Sequence, residues 1–393
     1  MTTAQWNLLV YAIAEDAGEH DRVLAEIEDM RAAATSDQVN VAVQVMARRR
    51  TTRYWIAAPH RAVTEILADP VDASRPTALT GFLNAAARRH PAAATALVLR
   101  AHGSGLDHVH DAPRVADGLS WPGPTRLALD RALDRALDLA LDPPRRPESY
   151  GCRWGPDPNS GQFLTNVTMK KAIAASLRGC VDVLALNACW MATLEIEYEL
   201  RNVASVEVAS QVNAKPWPYG ALVQALARRP SQAPDQLARA ILASVEADLD
   251  RRKDAVSAFR AGAAMDTLAA AFEVFARRAT ALVATDWDGV HDAVMTQAQR
   301  IDDPLQVDLA SLVGVLGDGD PLARAAADAV VSQLETMRIG SVAHASHPGV
   351  RGLSIFCPRS TRIDLADAYQ GTEFRTHSWA TFLLRFQRRL ASS

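Results

Sequence analysis

A histidine and a cysteine, far apart in the sequence, each follow the end of an apolar run. His102 follows "TALVLRA" and precedes "GSG", while Cys189 follows "VDVLALNA". Runs of this kind are typical of strands buried on both faces, and sites in open parallel sheets form beyond the carboxyl ends of the strands. If the two strands are neighbours, the imidazole and the thiol meet at one edge. That is the arrangement that nucleophilic catalysis by a Cys/His pair needs.

The residues next to this pair favour the same chemistry. A helical pattern is predicted to begin near Met191, which would place the positive end of a helix dipole close to the Cys189 sulfur and favour its thiolate. Gly103 has no Cβ, so its amide can approach a substrate carbonyl. The amides of Gly103 and Cys189 are therefore candidate oxyanion donors.

The elements that must position this pair follow an alternating order. The run Trp6–Ala14 predicts a buried strand, a helical pattern follows it, and residues 38–47 alternate as a second strand. Further strands and helices alternate in the same way up to about residue 250. This alternation predicts an α/β fold with a mostly parallel central sheet.

Two regions depart from the alternation. Residues 107–163 have no sheet pattern and are predicted to form an insertion between core strands. Its helical part is interpreted either as a solvated helix or as a regulatory segment, since the stretch that follows it within the insertion is typical of an exposed, cleavable region. Beyond residue 250 helical patterns predominate, until 352–358 supplies a late strand and a last helix closes the chain. We therefore expect a catalytic core over 1–250 and a helix-rich C-terminal region over 251–393 that returns the late strand and last helix to the core.

Composition excludes several classes of protein. The chain has 393 residues, of which 49% are hydrophobic and 22% charged, so it can bury a large core. Its net charge of −3 predicts neither nucleic acid nor an anionic membrane as a partner. The four cysteines form no CxxC pair, so neither a zinc knuckle nor a disulfide framework is indicated. The N-terminus is typical of a core strand, not of a signal peptide, and no apolar run approaches the ~20 residues that span a bilayer. We expect a cytoplasmic protein.

Five blocks of sequence resemble, in order, those of the clostripain family of cysteine peptidases, which belongs to the caspase-like group. They are "WNLLVYAIAED", "RAHGSG", "NACWMATLEIEYELR", "VASQVNAKPWPYG" and "GLSIFCP". The resemblance implies a caspase-like αβα sandwich and cleavage of peptide bonds in a protein or peptide substrate. It also implies that Cys189 is the nucleophile and His102 its partner.

The resemblance assigns substrate binding to Asn187, Ser210, Lys215 and Trp217, and the chain departs from the family at Asn187 and Lys215. Clostripain-like enzymes cleave after Arg or Lys, and the residue two before the cysteine is usually Asp, whereas here it is Asn187. Lys215 stands where a second acidic residue is expected. Without the carboxylate, a P1 Arg or Lys has no charge partner in the pocket. Repulsion between that cation and a nearby Lys ammonium costs about 1 kcal/mol in water and more in a desolvated pocket. The two changes predict a P1 preference that is not strongly basic.

The same departure bears on activation and cofactors. Family members often cut themselves between the His and Cys elements, where this chain has Arg145, Arg146 and Arg153. If the pocket does not accept basic residues, activation requires another protease, a ligand or a protein partner. The family can depend on calcium, but no DxDxDG-type loop is present and "LGDGDP" is interpreted as a connecting loop. We expect no cofactor and no metal, and His108 and His110 are interpreted as loop residues.

Other interpretations remain open at this stage. Cys189 could be a small buried packing residue, as cysteines at strand ends often are. The chain could be a catalytically weak caspase-like scaffold that binds peptides or protein partners. A nucleotide-binding α/β protein is a third possibility, although no GxGxxG or GxxxxGK[ST] follows a predicted strand. Cys357 also ends a strand, but Pro358 follows it, so no helix can begin there to stabilise a thiolate.

Overall fold

The structure is a computed structural model, and it describes residues 3–57, 61–103, 153–301, 305–360, 369 and 372–392. Its centre is a nine-stranded sheet of order β12-β10-β9-β8-β5-β1-β2-β3-β4. The strands of this sheet are β1 (Ala4–Ile13), β2 (Val39–Ala47), β3 (Arg50–Ala57), β4 (Arg61–Ile66), β5 (Ala92–Arg100), β8 (Val181–Asn187), β9 (Ala204–Ser210), β10 (Ala255–Arg260) and β12 (Arg338–Ala343). Two short pairs lie outside it, β6 (Arg153–Pro156) with β7 (Phe163–Thr165) and β11 (Gln306–Asp308) with β13 (Ser354–Phe356).

The middle of the sheet is parallel and both of its edges are antiparallel. Strands β2, β1, β5, β8 and β9 run in the same direction. Strands β3 and β4 extend one edge, and β10 and β12 extend the other, by antiparallel pairing. Because parallel strands need crossover connections, helices link the middle strands and cover both faces.

The helices of the described ranges surround this sheet. They are α1 (Ala17–Ala33), α2 (Pro76–Arg89), α3 (Asn166–Ala174), α4 (Leu194–Leu200), α5 (Tyr219–Arg228), α6 (Pro234–Glu246), α7 (Leu249–Arg252), α8 (Ala263–Thr285), α9 (Trp287–Asp292), α10 (Leu309–Gly317), α11 (Pro321–Met337) and α12 (Ser378–Ser392). A π-helical turn, Ala293–Gln297, and a 3-10 turn, Glu373–Thr376, lie between them. Among these helices, none is both long and apolar enough to cross a membrane.

Two hydrophobic cores lie on the two faces of the sheet, as alternating side chains of β1 illustrate. Leu8 and Val10 point to one core, in which α1, α5 and α6 pack. Leu9 and Tyr11 point to the other core, in which α2, α3, α4, α8, α10, α11 and α12 pack. The result is the three-layered αβα sandwich that the sequence predicts.

The region after residue 250 is more closely tied to the sheet than its helical pattern suggests. Strands β10 and β12 belong to this region and form one edge of the main sheet. The late strand predicted over 352–358 is β13, and it pairs with β11 instead of joining the main sheet. The two parts of the predicted domain division, 1–250 and 251–393, thus share one sheet and both of its cores.

Candidate active site

His102 and Cys189 lie at the same edge of the sheet because their strands are parallel neighbours. Arg100 of β5 is opposite Asn187 of β8, and two residues later the chains reach His102 and Cys189. A Cβ on Gly103 would lie only 2.5 Å from the Cys189 carbonyl oxygen, so the backbones beyond both strands are in close contact. The structure thus places His102 and Cys189 side by side at one edge of the sheet, and their catalytic roles stay a prediction.

The end of β5 is fixed on both sides of His102. The buried guanidinium of Arg100 bonds Glu19 at 2.7 Å and Glu26 at 2.9 Å, which ties α1 to this strand. The amide of Gly155 donates to the His102 carbonyl at 2.8 Å, and Trp154 forms a β-bridge with Gly103. The backbone is therefore held while the His102 side chain stays exposed.

The backbone after Cys189 adopts an unusual conformation. Trp190 has φ of 58°, in the left-handed region that residues other than glycine rarely adopt. Its amide donates to Val212 at 3.2 Å, and its ring packs against the small core of Val212, Ala255 and Ile301. A conformation that costs about 1–3 kcal/mol persists only when its surroundings enforce it, and such conformations cluster at functional sites.

A loop amide, and not a helix start, faces the sulfur. The predicted helix beginning near Met191 is α4, which starts at Leu194 with Thr193 as its N-cap. It starts later because Ala192 and Thr193 pair with the backbone of Ser354 instead. The amide of Ala214 donates to the Cys189 sulfur at 3.3 Å, and the thiol in turn donates to the Ala214 carbonyl at 3.8 Å.

The predicted substrate-binding residues have different environments. Asn187 is buried, and both ends of its side-chain amide form hydrogen bonds. Its Nδ2 donates to the Lys215 carbonyl at 2.9 Å. Its Oδ1 accepts from the Trp217 amide at 3.0 Å and from the Tyr219 hydroxyl at 2.6 Å. Ser210 is buried, and its hydroxyl donates to backbone carbonyls. Trp217 lies in one of the two large cores, whereas Lys215 is exposed and donates to the Arg251 carbonyl at 2.9 Å. The first three thus position the loop that follows β9.

A buried ion pair that the sequence analysis did not identify holds the same loop. Arg252 donates to the carbonyls of Pro216 at 2.6 Å and Lys215 at 2.8 Å, and its guanidinium pairs with Asp254 at 2.6 Å. Both charged side chains are almost fully buried. In the sequence this pair appears only as an Arg two residues before an Asp at the start of a strand. That pattern is too common to predict a buried ion pair that holds a loop.

The other cysteines differ from Cys189. Cys357 is buried, and burial raises the pKa of its thiol to about 11, which disfavours a thiolate. Cys180 is exposed, but it precedes β8 and so lies at the opposite end of that strand. Cys152 lies outside the described residues. Cys189 is half-buried at the carboxyl end of the sheet.

Gly103 has a reason to be glycine that does not depend on a substrate. A Cβ at this position would also lie 2.5 Å from the Met191 Cε and 2.9 Å from the Ala188 Cβ. Only glycine permits this close approach of the β5 end to the cysteine loop. Its role as an oxyanion donor stays a prediction.

Several sequence predictions concern metals and cleavage. Within the described ranges, no cluster of three His, Cys, Asp or Glu side chains could hold a metal ion. The carboxylates of "LGDGDP" do not fit a calcium loop, because Asp318 pairs with Arg324 and Asp320 caps α11 through the Ala323 amide. The stretch predicted to be exposed near the end of the insertion is buried at Trp154 and Asp157 but exposed at 159–161.

The remaining predictions on the insertion lie outside the described residues: His108, His110, Arg145 and Arg146. Arg153, the third candidate cleavage position, is the first residue of β6 and pairs with Thr165 of β7. This position is thus part of a hairpin that borders the site.

Part of this chain resembles a known protein family in sequence. The sequence model of the clostripain family (peptidase C11) matches residues 151–299, which include Cys189. A comparison with curated proteins finds no match for this chain.

Solved structures share the fold. A secreted C11 cysteine protease from Bacteroides thetaiotaomicron, solved with an irreversible peptide inhibitor, has a TM-score of 0.66 and 14% identity, over 97% of this chain and 99% of that chain. An inactive zymogen C11 protease from Parabacteroides distasonis has a TM-score of 0.63 and 15% identity, over 98% of this chain and 99% of that chain. Residues 151–299 therefore match the sequence model of the clostripain family of cysteine peptidases, and the fold is similar over nearly the whole chain to that of solved C11 proteases.

Proposed function

We propose that this protein is a cysteine endopeptidase that uses Cys189 as nucleophile and His102 as proton carrier. The observation that supports it most directly is the contact of the two backbones beyond β5 and β8, where the Gly103 position lies against the Cys189 carbonyl. The peptide inhibitor bound to the Bacteroides relative supports a peptide or protein substrate.

The chemistry needs only these two side chains and water. The Cys189 thiolate attacks the scissile carbonyl carbon, and the C–N bond breaks as His102 gives its proton to the leaving amine. The resulting thioester is attacked by a water molecule, which loses a proton to His102, and the C–S bond breaks to release the new carboxylate. We propose that neither calcium nor another cofactor takes part. Cleavage rates that are unchanged by a chelator and by added calcium would support this.

The P1 preference of this enzyme is proposed to be neutral or acidic. Asn187 carries no charge, and its amide is already used by the loop that follows β9. A cationic P1 side chain would lack a carboxylate there and would be repelled by Lys215. A panel of fluorogenic peptides that differ only at P1 tests this, and a strong preference for Arg or Lys would contradict it.

Activation is proposed to depend on another protease, a ligand or a protein partner, in the cytoplasm, where the enzyme acts on a specific protein. A pocket without basic preference would not cut the chain after Arg145, Arg146 or Arg153. Intact-mass measurement of the purified protein over time tests this, since self-cleavage at any of these residues would contradict it. Fractionation of the native cells tests the location.

The decisive experiment compares the protein with its Cys189→Ala variant on a mixed peptide library read by mass spectrometry. Cys180→Ala is the matched control, because Cys180 is an exposed cysteine that lies at the other end of β8. We expect cleavage by the wild type and Cys180→Ala once an extract of the native cells has supplied the activating protease, ligand or partner, and none by Cys189→Ala under the same treatment. Peptides that bind without being cut in all three proteins would support the scaffold interpretation instead.

A further inference from the structure

A glutamate beyond the first strand lies at the same sheet edge as His102. Strand β1 is parallel to β5, with Ala12 opposite Arg100. If this register continues beyond the two strands, Glu15 is opposite Gly103, the residue that follows His102. Since Cys189 occupies the corresponding place beyond β8, His102 stands between Glu15 on one side and Cys189 on the other.

The carboxylate of Glu15 has an unused oxygen in a buried position. Its Oε1 is buried, and no hydrogen-bond donor reaches it from the part of the chain that the structure describes. A Cβ on Gly155 would lie 3.3 Å from this oxygen, and the amide of Gly155 donates to the His102 carbonyl. The same glycine therefore borders both residues.

The neighbouring acids do not compete for this role. Asp16 caps α1 by accepting from the Glu19 amide at 2.8 Å, and Glu19 pairs with Arg100 at 2.7 Å. Burial raises the pKa of Glu15, the charge of His102 lowers it, and Glu19 and Asp16 raise it. Among these charged neighbours, His102 is the one that opposes the rise in the pKa of Glu15.

We propose that Glu15 is a positioning residue for the Cys189–His102 pair, accepting a hydrogen bond from the His102 ring on the side away from the sulfur. A protonated imidazole has two N–H donors, so one can face Glu15 while the other serves the reaction. The carboxylate then orients the ring and stabilises the imidazolium that forms when Cys189 loses its proton. The inference rests on the proposed function and adds a third residue to it.

The test measures the reactivity of the thiol, which does not require a known substrate. Iodoacetamide is reacted with the full-length protein over a series of pH values, and alkylation is quantified on the peptide that contains Cys189. Loss of a hydrogen bond to a charged group predicts that Glu15→Gln lowers the rate at neutral pH about tenfold to a hundredfold. The same loss moves the midpoint of the pH profile upward by about one to two units.

Two further variants separate positioning from folding. Glu15→Asp keeps the charge on a shorter side chain and should give an intermediate midpoint, which decides the question even if Glu15→Gln does not fold. Glu28→Gln, at an exposed position of α1, should match the wild type. A purely structural role for Glu15 would lower thermal stability without moving the midpoint.

The outcomes distinguish the inference from the proposed function. A reactive Cys189 whose midpoint is unchanged in Glu15→Gln overturns the inference alone. A wild-type Cys189 that reacts no faster than the exposed Cys180 at neutral pH overturns the proposed function and the inference with it.

Discussion

The α-carbon of Gly103 and the carbonyl oxygen of Cys189 are so close that no side chain fits between them. Gly103→Ala would force the end of β5 away from the cysteine loop, at a cost of about 1–3 kcal/mol of unfolding free energy. We expect this variant to fold but to lose most of its peptide cleavage and Cys189 alkylation. Gly81→Ala is the control, since a Cβ on that residue of α2 meets nothing within 4 Å. Equal activity in the two variants would contradict the contact.

The side chain of Asn187 is needed as a hydrogen-bond donor as well as an acceptor. In Asn187→Asp a carboxylate oxygen would face the Lys215 carbonyl, where Nδ2 now donates, and this unmade bond should cost about 1–3 kcal/mol in urea unfolding. The same change in Asn84→Asp should cost little, because Asn84 uses its oxygen to accept from the Leu177 amide. A loss of stability that is as large in Asn84→Asp would show that the effect is not specific to the loop.

Two consecutive arginines should behave differently. Arg252→Met removes the cation that holds two loop carbonyls and leaves Asp254 buried without its partner, so we expect a loss of about 3–5 kcal/mol of stability and at least tenfold in cleavage rate. Arg251→Met removes an exposed side chain paired with Asp248, which should leave stability close to that of the wild type. Thermal unfolding and peptide cleavage of both variants check this. Similar losses in the two variants would contradict the role of Arg252 in holding the loop.

A buried pair of glutamates should make the fold less stable as the pH rises. Burial raises the pKa of Glu197 to about 7, and burial together with the Glu197 charge raises the pKa of Glu207 well above 4.5. Because the folded-state pKa values are raised, this stability is fully present below about pH 4.5 and is lost as the pH rises through 7 and above.

Thermal unfolding between pH 5 and pH 8 checks this dependence. Glu207→Gln should be more stable than the wild type at pH 8 by a few kcal/mol and should show a flatter dependence on pH. Glu246→Gln, at an exposed position, should follow the wild-type curve. A Glu207→Gln protein with the wild-type slope would mean that the pair does not control this stability.

The sequence predicts the middle of the fold better than its edges. Strands β1, β5 and β8 are buried on both faces, so they appear as continuous apolar runs that no surface helix would have. Strands β10 and β12 have six residues each and pair antiparallel at one edge, next to long helices whose patterns dominate that region. Short edge strands carry too few residues for their periodicity to stand out.

The candidate site divides in the same way. His102 and Cys189 are predictable because each directly follows a buried strand and carries chemistry that is rare in this chain. Glu15 also follows such a strand, but it is one of several acids in "AEDAGE", and only its unused buried oxygen separates it from them. Whether a polar side chain is satisfied depends on residues that are distant in sequence, so it cannot be read from spacing.

The β-bridge between Gly103 and Trp154 joins the two places where the chain enters and leaves residues 104–152. If that stretch were severed, the new termini would begin from positions held by the Gly103–Trp154 bridge and the Gly155 bond to His102, and strands β5 and β8 would stay paired. The product would then be a two-chain molecule without a covalent link, which separates into two bands in denaturant and elutes as a single species in native buffer.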